Sequence, residues 1–238
     1  MKVLVTGAAG FIGRTVVPVL RERHEVRTLD RQPNPADPAQ LVADLTDAAA
    51  LREACAGIDV VLHLAATNND RPDFVKDVVP HNIGGTYNVL EAARQQQVRR
   101  VVFASSCQTV AHYPGNVTVS VADPVRPKGP YGATKVFGEA LGRAYHDNFG
   151  LEFIAIRLGA VLPYDMLQRD KLRMREIWLS PRDCVELLRR AVEKTGVGYA
   201  VVFGSSVMPF EHLSLREARE VLGFEPQDRW TDYFEVKT

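Results

Sequence analysis

The chain has 238 residues, 46% hydrophobic and 24% charged, enough to bury a full core within one domain. Its 29 Lys and Arg balance 29 Asp and Glu, so no net field draws it to nucleic acid, and the Arg99-Arg100 and Arg189-Arg190 pairs read as solvated element ends. Cys55, Cys107 and Cys184 are odd in number and widely spaced, which fits free thiols in a reducing compartment and no metal site. Met1-Lys2 runs directly into a strand, with no signal-peptide core and no membrane-spanning apolar run, so a cytoplasmic location is expected.

Val3-Leu4-Val5 predicts a first strand that ends at Thr6-Gly7-Ala8-Ala9-Gly10-Phe11-Ile12-Gly13. Phe11, Val16, Val19 and Leu20 then recur at helical spacing, with Pro18 expected to bend that helix mildly. A second strand, Val26 to Leu29, stops at Asp30, because Pro33, Pro35 and Pro38 demand a loop. Further strands are expected over Leu41–Asp44, Asp59–Leu64, Arg100–Ser105 and Phe153–Arg157. Helices are expected over Asp47–Ala56, Phe74–Gln97 and Tyr131–Phe149. This alternation predicts an α/β fold, a doubly wound Rossmann parallel sheet of about seven strands. Beyond Leu158 the pattern gives a helix over Pro181–Lys194, a strand over Tyr199–Phe203 and a short helix over Ser214–Leu222. With no internal repeat or linker, residues 1–238 read as one Rossmann-type domain, with 1–157 its cofactor-binding and catalytic core. Residues 158–238 read as a small substrate-side extension on the same sheet.

The spacing Gly7-x-x-Gly10-x-x-Gly13 differs from the Rossmann fingerprint G-x-G-x-x-G, but its place directly between a first strand and a first helix points to a dinucleotide loop. One glycine permits the turn, one the approach of a pyrophosphate and one the close packing of helix on strand, while the N–H groups around Phe11 and Ile12 face the phosphates. Asp30 at the end of the second strand is placed to accept from the adenosine ribose hydroxyls and to repel a 2′-phosphate, so NAD is expected over NADP. Arg31 reads either as a phosphate holder or as a solvated loop residue. Asp44-Leu45 reads either as a contact for the adenine amino group and ring face or as a strand-end cap. Leu64, Ala65 and Ala66 offer small or apolar bulk beside the ribose, and His63 reads as a packed strand histidine.

Tyr131 and Lys135 stand four apart on one helix face. A cation beside a phenol favours its ionised form, and such a tyrosine can exchange a proton with a substrate hydroxyl or carbonyl while the dinucleotide exchanges a hydride. The pair therefore predicts an oxidoreductase.

Together these motifs resemble the extended short-chain dehydrogenase/reductase superfamily, in its NAD-dependent epimerase/dehydratase group. The glycine loop, Asp30, Asp44-Leu45, His81-Asn82 with Gly84-Gly85-Thr86, Ser105-Ser106 and Tyr131/Lys135 fall in that family's order over residues 1–160. The resemblance implies that Ser106 holds the substrate oxygen, Tyr131 is the acid/base, Lys135 binds the nicotinamide ribose and Asn82 supports the lysine side. Phe103-Ala104-Ser105-Ser106, Arg157-Leu158-Gly159, Arg173-Met174 before Trp178-Leu179-Ser180, and Val202-Phe203-Gly204-Ser205-Ser206 are similar to the uronate dehydrogenases. That implies NAD-dependent oxidation of the C1 hemiacetal of a small sugar or sugar acid, with Arg173 gripping a carboxylate. Asn68, Cys107, Gln108 and Ala160 stand where those enzymes carry other polar groups, so Asn68, Cys107, Gln108 and Arg173 are the substrate-side candidates. Only 107 residues follow Tyr131, which favours a small substrate over a sugar nucleotide. The alternatives are a sugar-nucleotide epimerase or reductase, and a non-catalytic NAD-binding regulator. A homodimer or higher homo-oligomer is expected through the 74–97 and Tyr131 helices.

Overall fold

The computed structural model describes residues 1–67, 73–163, 166 and 176–233. Asn68 and Arg173 lie outside the described residues. Seven parallel strands form one sheet: β1 (Lys2–Thr6), β2 (Glu25–Asp30), β3 (Leu41–Val42), β4 (Val60–His63), β5 (Arg100–Ser106), β6 (Glu152–Leu158) and β9 (Tyr199–Gly204). Their spatial order is β3-β2-β1-β4-β5-β6-β9. Chain order thus reverses between β1 and β4, and in such sheets a ligand crevice opens beyond the carboxyl ends of the strands at that switch point. A separate parallel pair, β7 (Ala160–Val161) with β8 (Trp178–Leu179), stands past the end of β6.

Alternating strand side chains feed two cores. On one face Val3, Val5, Leu62, Val102, Ile154 and Ile156 pack with Val16 and Leu20 of α1 (Phe11–Arg21) and Leu187, Leu188 and Ala191 of α5 (Pro181–Glu193). On the other, Leu4, Val61, Val101, Phe103 and Phe153 pack with α2 (Ala48–Cys55), α3 (Gly85–Gln95) and α4 (Pro130–Phe149). Two short helices, α6 (Arg216–Leu222) and α7 (Trp230–Tyr233), close the described chain. Near-continuous apolar strands are what a parallel sheet covered on both faces requires.

Two elements depart from the sequence expectation. The expected strand over Leu41–Asp44 pairs only at Leu41 and Val42, which leaves Asp44 in the loop beyond it. The expected helix over Phe74–Gln97 is α-helical only from Gly85; Phe74–Gly84 is π-helical, with the Val78 N–H donating to the Asp73 carbonyl and the Gly85 N–H to that of Pro80. Pro80 inside this segment has no N–H to contribute, and π turns of this kind recur at functional sites. His63 is packed as expected: it bonds Thr6 at 2.7 Å, and burial, with Lys135 nearby, pushes its pKa down to about 3. It is a neutral member of the core.

Candidate active site

A cleft of about 510 Å³ runs along the switch point. At one end β1 delivers Gly7, whose φ of +74° and distance of 2.6 Å between an added Cβ and the Ala65 nitrogen leave room for no side chain. The N–H groups of Gly7 and Ala8 donate to the Leu29 carbonyl, tying the loop to the end of β2. A Cβ on Gly13 would stand 2.4 Å from the Gly7 carbonyl oxygen, so this glycine lets α1 lie against the loop. No side chain caps α1 at Gly10, and the first turn of a helix leaves its N–H groups without intrahelical partners. Gly10, Phe11, Ile12 and Gly13 line the cleft, so an anionic pyrophosphate fits here.

Asp30 ties the same loop together. Its carboxylate accepts the Ala9 N–H and the Gln32 N–H, each at 3.0 Å, while Asp30 and the exposed Arg31 both line the cleft. Farther along the wall stand Asp44 and Leu45. Partial burial opposes the Asp44 charge, but hydrogen bonds from the Thr46 backbone and hydroxyl, and from His81, outweigh it and hold the carboxyl below its usual range. Leu64, Ala65 and Ala66 line the same cleft.

The catalytic end is assembled by β5 and α4. Buried along its whole length, β5 ends at Ser106, which lines the cleft with Tyr131 and Lys135 from the first two turns of α4. Burial pushes the Tyr131 phenol up to about 12; a hydrogen bond with Ser106 works the other way and loses. Lys135 is buried with its Nζ 4.8 Å from the centre of the Phe103 ring and 5.6 Å from that of Tyr131. Burial alone brings it down to about 7. The sequence spacing predicts a lowered phenol beside a full cation, whereas in the ligand-free protein desolvation dominates both groups.

Behind this end lies a buried clamp that sequence reasoning missed. Glu139, one turn past Lys135, accepts the Ser105 hydroxyl at 2.6 Å and two Arg157 N–H bonds of 2.9 Å each. It fastens α4 to β5 and β6 directly beneath Ser106. The clean i, i+4 spacing from Lys135 was the available signal, but it does not say which strand residues answer it.

Three other expected site residues lie off the cleft wall. After Ser106 the chain leaves the sheet in a single 3₁₀ turn, Cys107–Thr109. That turn packs Cys107 among Val110, Val119 and Phe203, where burial raises its thiol to about 11, and leaves Gln108 off the cleft wall with its backbone N–H on the Ser106 hydroxyl. Asn82 is also buried and does not line the cleft. Its amide holds the Thr67 backbone in both directions, at 2.7 and 3.0 Å, and donates to the Thr134 hydroxyl at 3.2 Å, so it reaches the lysine side only through Thr134. Conversely, Thr67, His81, Leu158, Gly159 and Val161 line the cleft without having been singled out as its wall, and Ala160 lines it with them. The carboxyl ends of β4 and β6 were the signal for all of these but His81; His81 is placed there by the π turns, which no periodicity in the sequence announces.

Residues 3–178 match the model of the NAD dependent epimerase/dehydratase family. The chain is 39% identical over 250 residues to an L-arabinose 1-dehydrogenase (NAD(P)(+)) of Haloferax volcanii, covering 95% of this chain and 96% of the relative. It is 33% identical to a uronate dehydrogenase of Pseudomonas putida, over 95% and 84% of the two chains. The crystal structure of a uronate dehydrogenase point mutant from Agrobacterium tumefaciens, complexed with NAD, superposes with a TM-score of 0.88 at 34% identity, over 98% of this chain and 86% of that one. Fold, motif order and these likenesses agree: the chain belongs to the NAD dependent epimerase/dehydratase family.

Proposed function

We propose that this chain is an NAD-dependent dehydrogenase that oxidises the C1 hemiacetal hydroxyl of a small sugar or sugar acid to a lactone. The observation that carries this reading is that Ser106, Tyr131 and Lys135 line the same cleft as the glycine loop. Bound NAD supplies the hydride acceptor. Ser106 donates to the substrate oxygen and orients it, and Tyr131, once it has given up its own proton, takes the hydroxyl proton on its phenolate oxygen as the C1 hydride departs. Lys135, kept among aromatic rings, supplies positive charge to the phenolate side when it carries its proton. Leu158 and Ala160 add apolar surface to the same cleft.

The names of the relatives support a free sugar as substrate, neutral in one and acidic in the other. Ala160 on the cleft wall and the withdrawn Cys107 offer the sugar no hydrogen bonds, which favours the neutral aldose. Arg173 is the residue that a sugar acid would need. The exposed Tyr87 and Phe149 on α3 and α4 support a homodimer built on those helices.

NADH formation with L-arabinose, D-galactose, D-glucose, D-glucuronate and D-galacturonate, together with product analysis after incubation with UDP-glucose, whose epimerisation returns the hydride and leaves no net NADH, tests the reading. Turnover of at least one free sugar, with none of UDP-glucose, is expected. Turnover of UDP-glucose alone would point to sugar-nucleotide chemistry, and tight NAD binding with no turnover at all to a regulator.

A further inference from the structure

His81 stands on the cleft wall between its own helix and the Asp44 loop, 37 positions away in sequence. Its Nδ1 is 2.6 Å from the backbone carbonyl oxygen of Asp77, and its Nε2 is 3.2 Å from Asp44 Oδ2. A carbonyl and an ionised carboxylate can only accept, so in this arrangement Nδ1 is placed to donate to Asp77 and Nε2 to Asp44.

The acceptor positions of Asp44 are nearly filled. An ionised carboxylate offers about four. Oδ1 takes the Thr46 N–H at 2.9 Å and the Thr46 hydroxyl at 2.8 Å, and Oδ2 takes His81. One position remains, on Oδ2. Two bonds to a single oxygen leave the carboxylate plane free to pivot about it; a bond to the second oxygen fixes the plane. We propose that His81 is a positioning residue for the adenine end of the dinucleotide, aiming the last free acceptor position of Asp44 at the adenine amino group. The proposal rests on the reading of Asp44 as the adenine contact.

The test compares the affinity of the protein for NAD and for nicotinamide hypoxanthine dinucleotide, in which a carbonyl replaces the adenine amino group. Isothermal titration would be run on the wild type, His81→Asn, His81→Gln and Asp44→Ala, with thermal unfolding followed for each. An asparagine amide occupies the place of Nδ1 and keeps the Asp77 bond but does not reach Asp44. A glutamine amide occupies the place of Nε2 and does reach it. The wild type is expected to prefer NAD by about tenfold or more, as for a hydrogen bond to a charged group. His81→Asn should bring that preference to within about threefold and raise KM for NAD more than it lowers kcat, while His81→Gln keeps most of the preference. If His81→Asn keeps the full preference while Asp44→Ala loses it, the proposal is wrong and the Asp44 reading survives. If Asp44→Ala keeps it, or the wild type shows none, the Asp44 reading falls and takes the proposal with it.

Discussion

The Lys135 ammonium nitrogen lies 5.6 Å from the centre of the Tyr131 ring, and burial moves the two groups in opposite directions, the phenol up to about 12 and the amine down to about 7. In the ligand-free protein the lysine therefore gives up its proton before the tyrosine does. Adjacency on one helix face puts the two groups together; exclusion of water decides which of them is charged.

A stability signature follows from the lysine. Its folded pKa, about 7 against an ordinary 10.5, means that the unfolded chain binds the proton more readily. The folded state is thus penalised by on the order of a few kcal/mol below pH 7, and the penalty fades as pH rises from about 7 to about 10.5. Lys135→Met removes the titration while keeping the bulk. The variant is expected to unfold at a higher temperature than the wild type at pH 6, with the gap closing towards pH 10. A gap independent of pH would show that Lys135 is solvated or paired in the ligand-free protein.

Removing only the hydroxyl at Tyr131 tests the chemistry. Tyr131→Phe should keep the fold and bind NAD within a few-fold of the wild type, while turnover of the best sugar falls by about 10²–10⁴-fold, the usual loss for a general acid/base. Pre-steady-state and steady-state NADH formation on matched protein measures this directly. Activity within a few-fold of the wild type would take Tyr131 out of the proton transfer.

The three loop glycines separate fold from binding. At Gly13 an added Cβ meets Gly7 and Ala8 backbone oxygens at 2.4 and 2.6 Å, so Gly13→Ala forces α1 off the loop and should lower both the unfolding temperature and NAD affinity. At Gly10 the nearest atom is the Gly7 oxygen at 3.2 Å, a contact that a small shift relieves. Gly10→Ala should therefore unfold within a few degrees of the wild type yet lose about tenfold or more in NAD affinity, because the methyl group stands where backbone must approach pyrophosphate. Unfolding temperature and NAD titration on the two variants distinguish the cases; equal loss of stability in both would mean that the second glycine is structural.

The glycine loop, Asp30 and the Tyr131/Lys135 pair were legible because each is a local pattern on a single turn, and the parallel α/β class of the fold followed from the alternation of apolar runs. What was not legible depends on contacts between elements far apart in the chain. The 3₁₀ turn after Ser106 carries Cys107 and Gln108 off the cleft wall, and nothing in their side chains announces it. The π turns around Pro80 bury Asn82 against Thr67 and Thr134 and leave His81 on the cleft. Glu139 finds Ser105 and Arg157 only once β5 and β6 are side by side, with Ser105 opposite Arg157 in the register.

The last expectation concerns which dinucleotide is used, since the Haloferax relative is named for both. Both oxygens of Asp30 already accept a backbone N–H, from Ala9 and from Gln32, so the carboxylate is fixed in place and still has acceptor capacity for two ribose hydroxyls. Its charge would also stand beside any 2′-phosphate. NAD is expected to bind at least about tenfold tighter than NADP, a difference of ~1.4 kcal/mol. Arg31, exposed and next in sequence, pulls the other way, because a guanidinium can grip a phosphate in two places. Asp30→Ala should weaken NAD and, by removing the repulsion, bring the two affinities together. Arg31→Ala should leave NAD nearly unchanged and weaken NADP further. Titration of both dinucleotides into the three proteins decides the matter: equal or reversed affinities in the wild type, abolished by Arg31→Ala, would make Arg31 rather than Asp30 the residue that governs the ribose site.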